Sequence, residues 1–328
     1  GGLQTAKQTL TLTSAAGTPI YYTTDGSVPT TQSTLYKDGI PISKTTVVRA
    51  ISFSDDFLPG QPATRSFIFP DHEITLPIMA LVTDPYNLYD YNYGIYVEGP
   101  NAEAADPHYG ANYWQDWERP IYIEYYLLDG QNVISQNAGV KITGAWSRMS
   151  TQKPLAIHAR KSYGKSRFDY QFFSSKNISS FKSFNLRNSG NDFGNTHMRD
   201  AMITSLVSKN NIDIQAYRPV VVYLNGEYWG IMNLRERLGA HYLEENYSYV
   251  DANKVDYIKN RDEVKDGSYD HYQSMLDFIE SHSLAVDENY QYIKTQMDID
   301  EYIEYMVVEI YCKNTDWPGN NVKFWRPQ

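Results

Sequence analysis

The run Pro219–Leu224, Asn225-Gly226, Glu227–Leu234 constrains this chain most tightly. Two apolar stretches joined by an Asn-Gly dipeptide specify a two-residue hairpin, because the turn that matches strand twist needs positive φ at both central positions. Such a hairpin sets its own register, and it commits the middle of the chain to β-structure.

Turn chemistry punctuates the N-terminal region as well. Residues 3–69 read as short strands at Gln8–Thr13, Pro19–Thr24, Thr46–Phe53 and Thr64–Phe69, with Asp25-Gly26 between the second and third. That spacing argues for a small immunoglobulin-like β-sandwich. The proline-bracketed joint Pro70–Pro77 marks a boundary, giving domains at 1–70 and 71–328. Beyond it, Ile78–Thr83 is a continuous apolar strand, and Pro120–Leu128 with Asn132–Ser135 forms a hairpin about Asp129-Gly130. Val140–Gly144, Leu155–Arg160, Phe168–Phe173 and Phe184–Arg187 read as further strands. The aromatic stretch from Tyr86 to Trp117 has no clear period and reads as a long loop, either packed over the domain or shaped for a ligand.

Helical periodicity begins at Met198–Ser208, with Met202 and Leu206 on one face and Asn195 or Thr196 as N-cap. Arg237–Tyr247, His271–Ser281 and Ile299–Lys313 follow. The last places Ile299, Tyr302, Ile303, Met306, Val307 and Ile310 on a core face. The fold class is therefore α+β.

Composition removes several function classes. Of 328 residues, 29 are Lys or Arg and 39 are Asp or Glu, a net charge of −10. Counterion release then gives nucleic-acid binding little help, and an acidic membrane surface repels the chain. No run of 18 apolar residues is present, so the sequence predicts no transmembrane segment. Cys312 stands alone in the last apolar helix, which excludes an intrachain disulfide and a cysteine zinc site and makes it a buried structural thiol. The N-terminal Gly1-Gly2 lacks the regions of a signal peptide and reads as a processed or engineered terminus. His158, His197, His241 and His271 are scattered and read as structural or surface residues. No H-E-x-x-H site occurs, and a glycoside hydrolase would need one carboxylate pair singled out among the 39.

The chemistry concentrates at Asp316-Trp317-Pro318-Gly319-Asn320-Asn321, an acid and an amide five residues apart after an apolar helix. Protein kinases use that spacing, the Asp to orient the attacking hydroxyl and the Asn to hold a metal ion on the ATP phosphates. The plainer reading has Asp316 capping a turn while Asn320 and Asn321 satisfy loop backbone. Upstream, the order of strands, helix, hairpin and helices also matches that of a kinase fold.

Two resemblances sharpen this. Gly17–Thr30, with its Tyr21-Tyr22-Thr23-Thr24-Asp25-Gly26 core, together with Val47–Phe53, resembles the C-terminal domain of chitobiases and β-hexosaminidases. That accessory module implies a secreted bacterial protein and carries no chemistry of its own. From Leu76–Pro85 through Gln152–Lys161, Phe184–Asp192, Met198–Ala201, Tyr223–Ile231, Asn233–Arg237 and Asn314–Asn321, the chain resembles the CotH kinase family of atypical kinases.

What the second resemblance implies is a secreted or cell-surface phosphotransferase using ATP with Mg²⁺, or Mn²⁺, on a protein or another hydroxyl acceptor. Lys153 would be the strand lysine on the phosphates, with Lys161 and Lys165 as competitors. Glu236 would meet the adenine edge through side chain or backbone, or else form an ion pair with a basic neighbour. Asp316 would orient the acceptor or help hold metal, and Asn321 would ligate the metal. Asp200 or Asp192 would pair with Lys153. No G-x-G-x-x-G loop exists, so Gly139, Gly144 and the Ser147-Arg148 turn are the nearest substitute, making Arg148 a phosphate contact. The family's second acidic motif is absent before Gln328, which implies a kinase-like domain truncated at its C-terminus and poorly active as it stands. The competing reading is a non-catalytic envelope-associated scaffold for glycans or protein partners, with Tyr109, Tyr113, Trp114 and Trp117 as stacking faces.

Overall fold

The computed structural model describes residues 1–14, 17–55 and 58–328. Seven short strands occupy the N-terminal region: β1 (Gly2–Leu3), β2 (Gln8–Leu10), β3 (Ile20–Thr23), β4 (Thr34–Leu35), β5 (Ile40–Ile42), β6 (Thr46–Ser52) and β7 (Ala63–Ile68). They form a five-stranded sheet in the order β1-β7-β6-β3-β4 and a two-stranded sheet β2-β5. Ile40, Ile42, Val48 and Phe67 are buried together, with Leu10, Leu12, Tyr22, Tyr36 and Phe69 packed around them. Inward residues from both sheets thus fill one core, which is what alternation in short strands requires.

The next strands are β8 (Ile78–Val82), β9 (Arg119–Tyr126), β10 (Asn132–Ile142), β11 (Leu155–His158), β12 (Ser183–Arg187), β13 (Tyr217–Leu224) and β14 (Glu227–Glu236), with the short helix α1 (Pro85–Tyr89) after β8. They close into a barrel in the order β10-β11-β12-β14-β13-β8-β9. All five residues of β8 are buried, as expected for a strand paired on both edges, parallel to β13 and antiparallel to β9. At the Asn225-Gly226 turn both residues take positive φ, 51° and 85°, and Leu224 pairs with Glu227. The hairpin is as its turn dipeptide demands.

Two strand expectations are corrected. Val140–Gly144 is not separate, since its first residues continue β10, an eleven-residue strand with a register shift between Asn132 and Ile134. Phe168–Phe173 is not a strand at all, and among the described residues its one sheet contact is a single bridge between Phe168 and Phe181. Its apolar run is explained by packing instead. Phe168, Phe172 and Phe173 are buried, and the Phe172 ring lies 5.3 Å from both Tyr125 and Phe184 and 5.7 Å from Phe181. A continuous buried run looks the same in sequence whether or not it pairs.

By contact density the chain divides into two units, Gly1–His197 with Tyr217–Glu236, and Met198–Ala216 with Arg237–Gln328. The first holds both the N-terminal sheets and the barrel. Ile68 of β7 is fully buried in one cluster with Ile78, Ala80, Tyr126, Val221 and Tyr223 of the barrel.

The second unit contains α2 (Arg199–Leu206), α3 (Ala240–Asn246), α4 (Asp270–Ser281), α5 (Asp287–Gln296) and α6 (Ile299–Tyr311), with β15 (Val255–Lys259), β16 (Glu263–Asp266) and β17 (Lys323–Pro327) in a sheet ordered β16-β15-β17. Tyr242, Leu243, Val250, Val255 and Tyr257 form its core, with Leu238, Tyr247 and Trp325 against them. Asp213 ties this core together by accepting from Tyr247 Oη at 2.6 Å and Trp325 Nε1 at 2.8 Å.

Further expectations change here. The N-cap of α2 is Met198, without a side-chain bond, because the Thr196 hydroxyl is spent on Asp192 at 2.6 Å. Met202 and Leu206 do not form a core face and are 50% and 74% exposed. The apolar stripe of α6 is likewise helical in period but not a core face, since Tyr302, Ile303, Val307 and Ile310 are exposed. Cys312 caps α6 and is only partly buried. Among the described residues no helix is long and apolar enough to cross a membrane.

Candidate functional site

Lys153 is buried, 6% exposed, and it is not a strand residue: it precedes β11 in an irregular segment. Its ammonium donates to Arg148 O at 2.6 Å and Ser150 O at 3.4 Å, and it lies 4.1 Å from the Tyr113 ring centroid and 5.8 Å from that of Tyr96. Carbonyl dipoles and two aromatic faces are the groups that hold a cation out of water. The backbone is pinned as firmly, because Tyr96 Oη accepts from Lys153 N at 3.1 Å and donates to Lys153 O at 3.3 Å.

This ammonium forms part of the wall of a cleft of about 520 Å³ lined also by Tyr91, Tyr96, Glu98, Asp106, His108 and Tyr113. Burial pulls Lys153 down from the usual lysine range to about 8, while the charge of Glu98 opposes the shift. A lysine balanced near neutrality in a polar, aromatic cleft is a functional-site candidate on physical grounds. On the rim, His108 Nε2 is 3.2 Å from Asp106 Oδ1 and 4.0 Å from Glu98 Oε1, and its backbone sits at φ 56°.

Arg148 belongs to the same constellation. Its Nε donates to Gly144 O at 2.6 Å and its Nη1 to Tyr113 O at 2.8 Å, with the guanidinium 4.8 Å from the Trp114 ring. Burial lowers its pKa, with the charge of Asp116 opposing. Arg148 therefore shapes the loop whose carbonyl holds Lys153. The loop is braced from below by Asn188, whose Nδ2 donates to Gln152 O at 2.8 Å, and by Gln152 Nε2 donating to Trp229 O at 2.8 Å.

Glu236 lies at the end of β14, 2% exposed, with Lys176 Nζ 2.6 Å from its carboxylate. The ion-pair reading of this residue is thus realised, with a lysine that sequence spacing did not suggest. Asp192 is buried and accepts from Thr196, and Asp200 lies in the first turn of α2.

In the second unit the structure brings Asp316 and Asn321 together. Asn321 Nδ2 donates to Asp316 Oδ2 at 2.6 Å, Asn320 Nδ2 to Oδ1 at 3.2 Å, and Asp316 N to Asn314 Oδ1 at 3.0 Å. Asn321 adopts φ 61°, a left-handed conformation that Asn tolerates better than most residues. Asp316 and Asn321 are exposed. Among the described residues no group of three or more His, Cys, Asp or Glu is placed to hold a metal ion. Magnesium, however, is commonly held by one or two carboxylates completed by phosphate and water. One carboxylate beside one amide oxygen fits that mode.

Sequence reasoning missed Glu98, Asp106, His108 and Tyr96 as cleft residues, although the unperiodic, aromatic stretch that carries them was the signal. Of the four aromatic residues proposed to stack on sugars, Tyr109 is exposed, Tyr113 is buried against Lys153, and Trp114 is tied through Nε1 to Pro107 O at 2.7 Å. Trp117 sits 4.9 Å from the Arg119 guanidinium.

The model of the CotH kinase protein family matches residues 140–328, a span that contains Arg148, Lys153, Glu236, Asp316 and Asn321. The model of the chitobiase/beta-hexosaminidase C-terminal domain matches residues 1–62. Comparison with curated proteins finds no match.

Proposed function

The chain belongs to the CotH kinase family, and from that premise we propose that it is a secreted or cell-surface phosphotransferase acting with Mg-ATP on a protein or another hydroxyl acceptor. The observation that carries the proposal is Lys153, a buried ammonium beside an open cleft. A compact point charge of this kind suits a phosphate oxygen. Its carbonyl and aromatic surroundings keep it in place, and among the described residues no carboxylate lies within ion-pair range, so an arriving phosphate need not displace a partner. Glu98 and Asp106 share the cleft and would repel a bare polyphosphate, which favours a nucleotide that arrives with its cation.

Asp316 is the candidate to accept or orient the acceptor hydroxyl proton, and Asn321 holds that carboxylate in position through Nδ2, which leaves its own Oδ1 for a hard cation. A bound Mg²⁺ would neutralise charge developing on the transferred phosphoryl oxygens. The side chain of Glu236 is engaged by Lys176, so any contact of this residue with an adenine edge falls to the backbone at the end of β14.

The test is calorimetric titration of the full-length protein with ATP in Mg²⁺ and in Mn²⁺, beside Lys153→Met. Metal-dependent binding weakened by the substitution is expected. Absence of nucleotide binding under either ion would remove the proposal.

Exposed Tyr86, Tyr89, Tyr91 and Tyr109 favour a second reading, a glycan-binding surface. Retention on immobilised polysaccharides, lost on Tyr91→Ala and Tyr109→Ala, would support it, and passage through a broad panel without delay would dismiss it.

A further inference from the structure

We infer that Asp84 is a positioning residue for the Lys153 cleft, latching the N-terminal β module to the helix from which the cleft wall is folded. Its two carboxylate oxygens serve two different parts of the first unit. Oδ1 accepts from Tyr86 N at 3.0 Å and caps α1. Oδ2 accepts from Val28 N at 3.0 Å, in the segment that follows the Asp25-Gly26 turn of the N-terminal module.

The turn itself is seated against the barrel. Gly26 has φ 89°, and a Cβ there would stand 2.7 Å from the Asn225 side chain and 2.8 Å from Thr83 O. Arg49, buried, fixes the same turn by donating to Gly26 O at 2.7 Å. Asn225 in turn accepts from Thr83 N at 2.9 Å. Gly26 and Val28, within the segment by which the N-terminal module resembles an accessory domain, are therefore engaged with the barrel, and a side chain at position 26 would have no room there.

From α1 the connection continues without a gap. The chain folds back so that Tyr96 N donates to Leu88 O at 2.9 Å and Ile95 N to Asn87 O at 3.0 Å. Tyr96 then makes its two hydrogen bonds to the Lys153 backbone. Val28, Asp84, α1, Tyr96 and Lys153 form one line of direct bonds. A module with no chemistry of its own thus supports the cleft, and the inference stands whatever ligand the cleft accepts.

The experiment is the pH profile of Lys153 acylation by a small activated ester, read by peptide mass spectrometry on the full chain. Wild type should titrate with a midpoint near 8. Glu98, Asp106, His108, Tyr96 and Tyr113 line the same cleft, and Glu98 is the charge that opposes the fall in the Lys153 pKa. Asp84→Ser keeps an oxygen for the helix cap and removes the one that reaches Val28, while Asp84→Asn keeps the cap and turns a donor toward the Val28 N–H. Either should move the midpoint toward ordinary lysine by about one unit, so that the neutral fraction at pH 8 falls about fivefold, and should speed amide exchange in residues 86–117. Asp129→Asn, remote in its own turn, should change neither. An unchanged midpoint in both Asp84 variants overturns the inference, whether or not exchange in the N-terminal module increases. Because no nucleotide is used, this outcome is separate from failure of the phosphotransfer reading.

Discussion

Replacing Glu301 with Gln should make the protein more stable at neutral and alkaline pH and leave it nearly unchanged in acid. Glu301 lies in the first turn of α6, where its N–H donates to Asp298 Oδ1 at 2.9 Å. Its carboxylate accepts the backbone N–H of Asp213, but burial and the charges of Asp213, Asp298 and Glu304 raise it to about 7. The folded chain therefore holds this proton more tightly than the unfolded chain, in which a glutamate titrates near its ordinary value of about 4.3. Between those values the native state binds more protons, so stability falls as pH rises through the window and levels off above it. A displacement of this size corresponds to about 4 kcal/mol at most, and screening at a partly exposed group leaves about 1–3 kcal/mol. Gln keeps an acceptor for the Asp213 N–H and removes the titration. Urea unfolding at pH 4.5, 6 and 8, with amide exchange of α6 to localise the effect, should show variant and wild type converging in acid and separating by about 1–3 kcal/mol at pH 8. Parallel curves across the window would refute the reasoning.

Asp213→Asn should act on the same cluster in two ways. It weakens the acceptor shared by Tyr247 and Trp325, costing about 1–3 kcal/mol, and it removes a charge that raises Glu301, so the pH window narrows. Trp325 fluorescence and the pH series above read both effects. Phe172→Ala should cost about 3–5 kcal/mol in the unfolding of the first unit, because this ring contacts Tyr125, Phe181 and Phe184 with none of its surface exposed. A loss below about 1 kcal/mol would mean that the site collapses around the cavity rather than holding it open.

Local turn chemistry carried most of what the sequence made legible. Asn225-Gly226 and Asp129-Gly130 each sit in a real hairpin, and the α+β class follows from strands and helices that exist. Periodicity was a weaker guide, because it reports the shape of an element and not what covers it. The stripes on α2 and α6 are helical, yet much of their apolar surface is exposed. The run Phe168–Phe173 is apolar because of an aromatic cluster rather than a ladder. β15 and β17 pair across more than sixty residues of sequence, as Val255 with Pro327 shows, and such pairing leaves little local trace. The candidate site divided the same way. Asp316 and Asn321 are close in sequence and proved to be bonded to each other. Lys153 was named, but its cleft is built largely by residues 91–113, which no period marks and which tertiary packing and hydrogen bonds put in place.

The central claim is that the Lys153 cleft receives a metal-bound nucleotide. It is tested most directly by measuring Lys153 acylation in the full-length protein with and without saturating ATP, each in Mg²⁺ and in EDTA. The account predicts protection on the order of tenfold or more with Mg-ATP and little with EDTA. Acylation that proceeds at one rate whether or not Mg-ATP is present would contradict it.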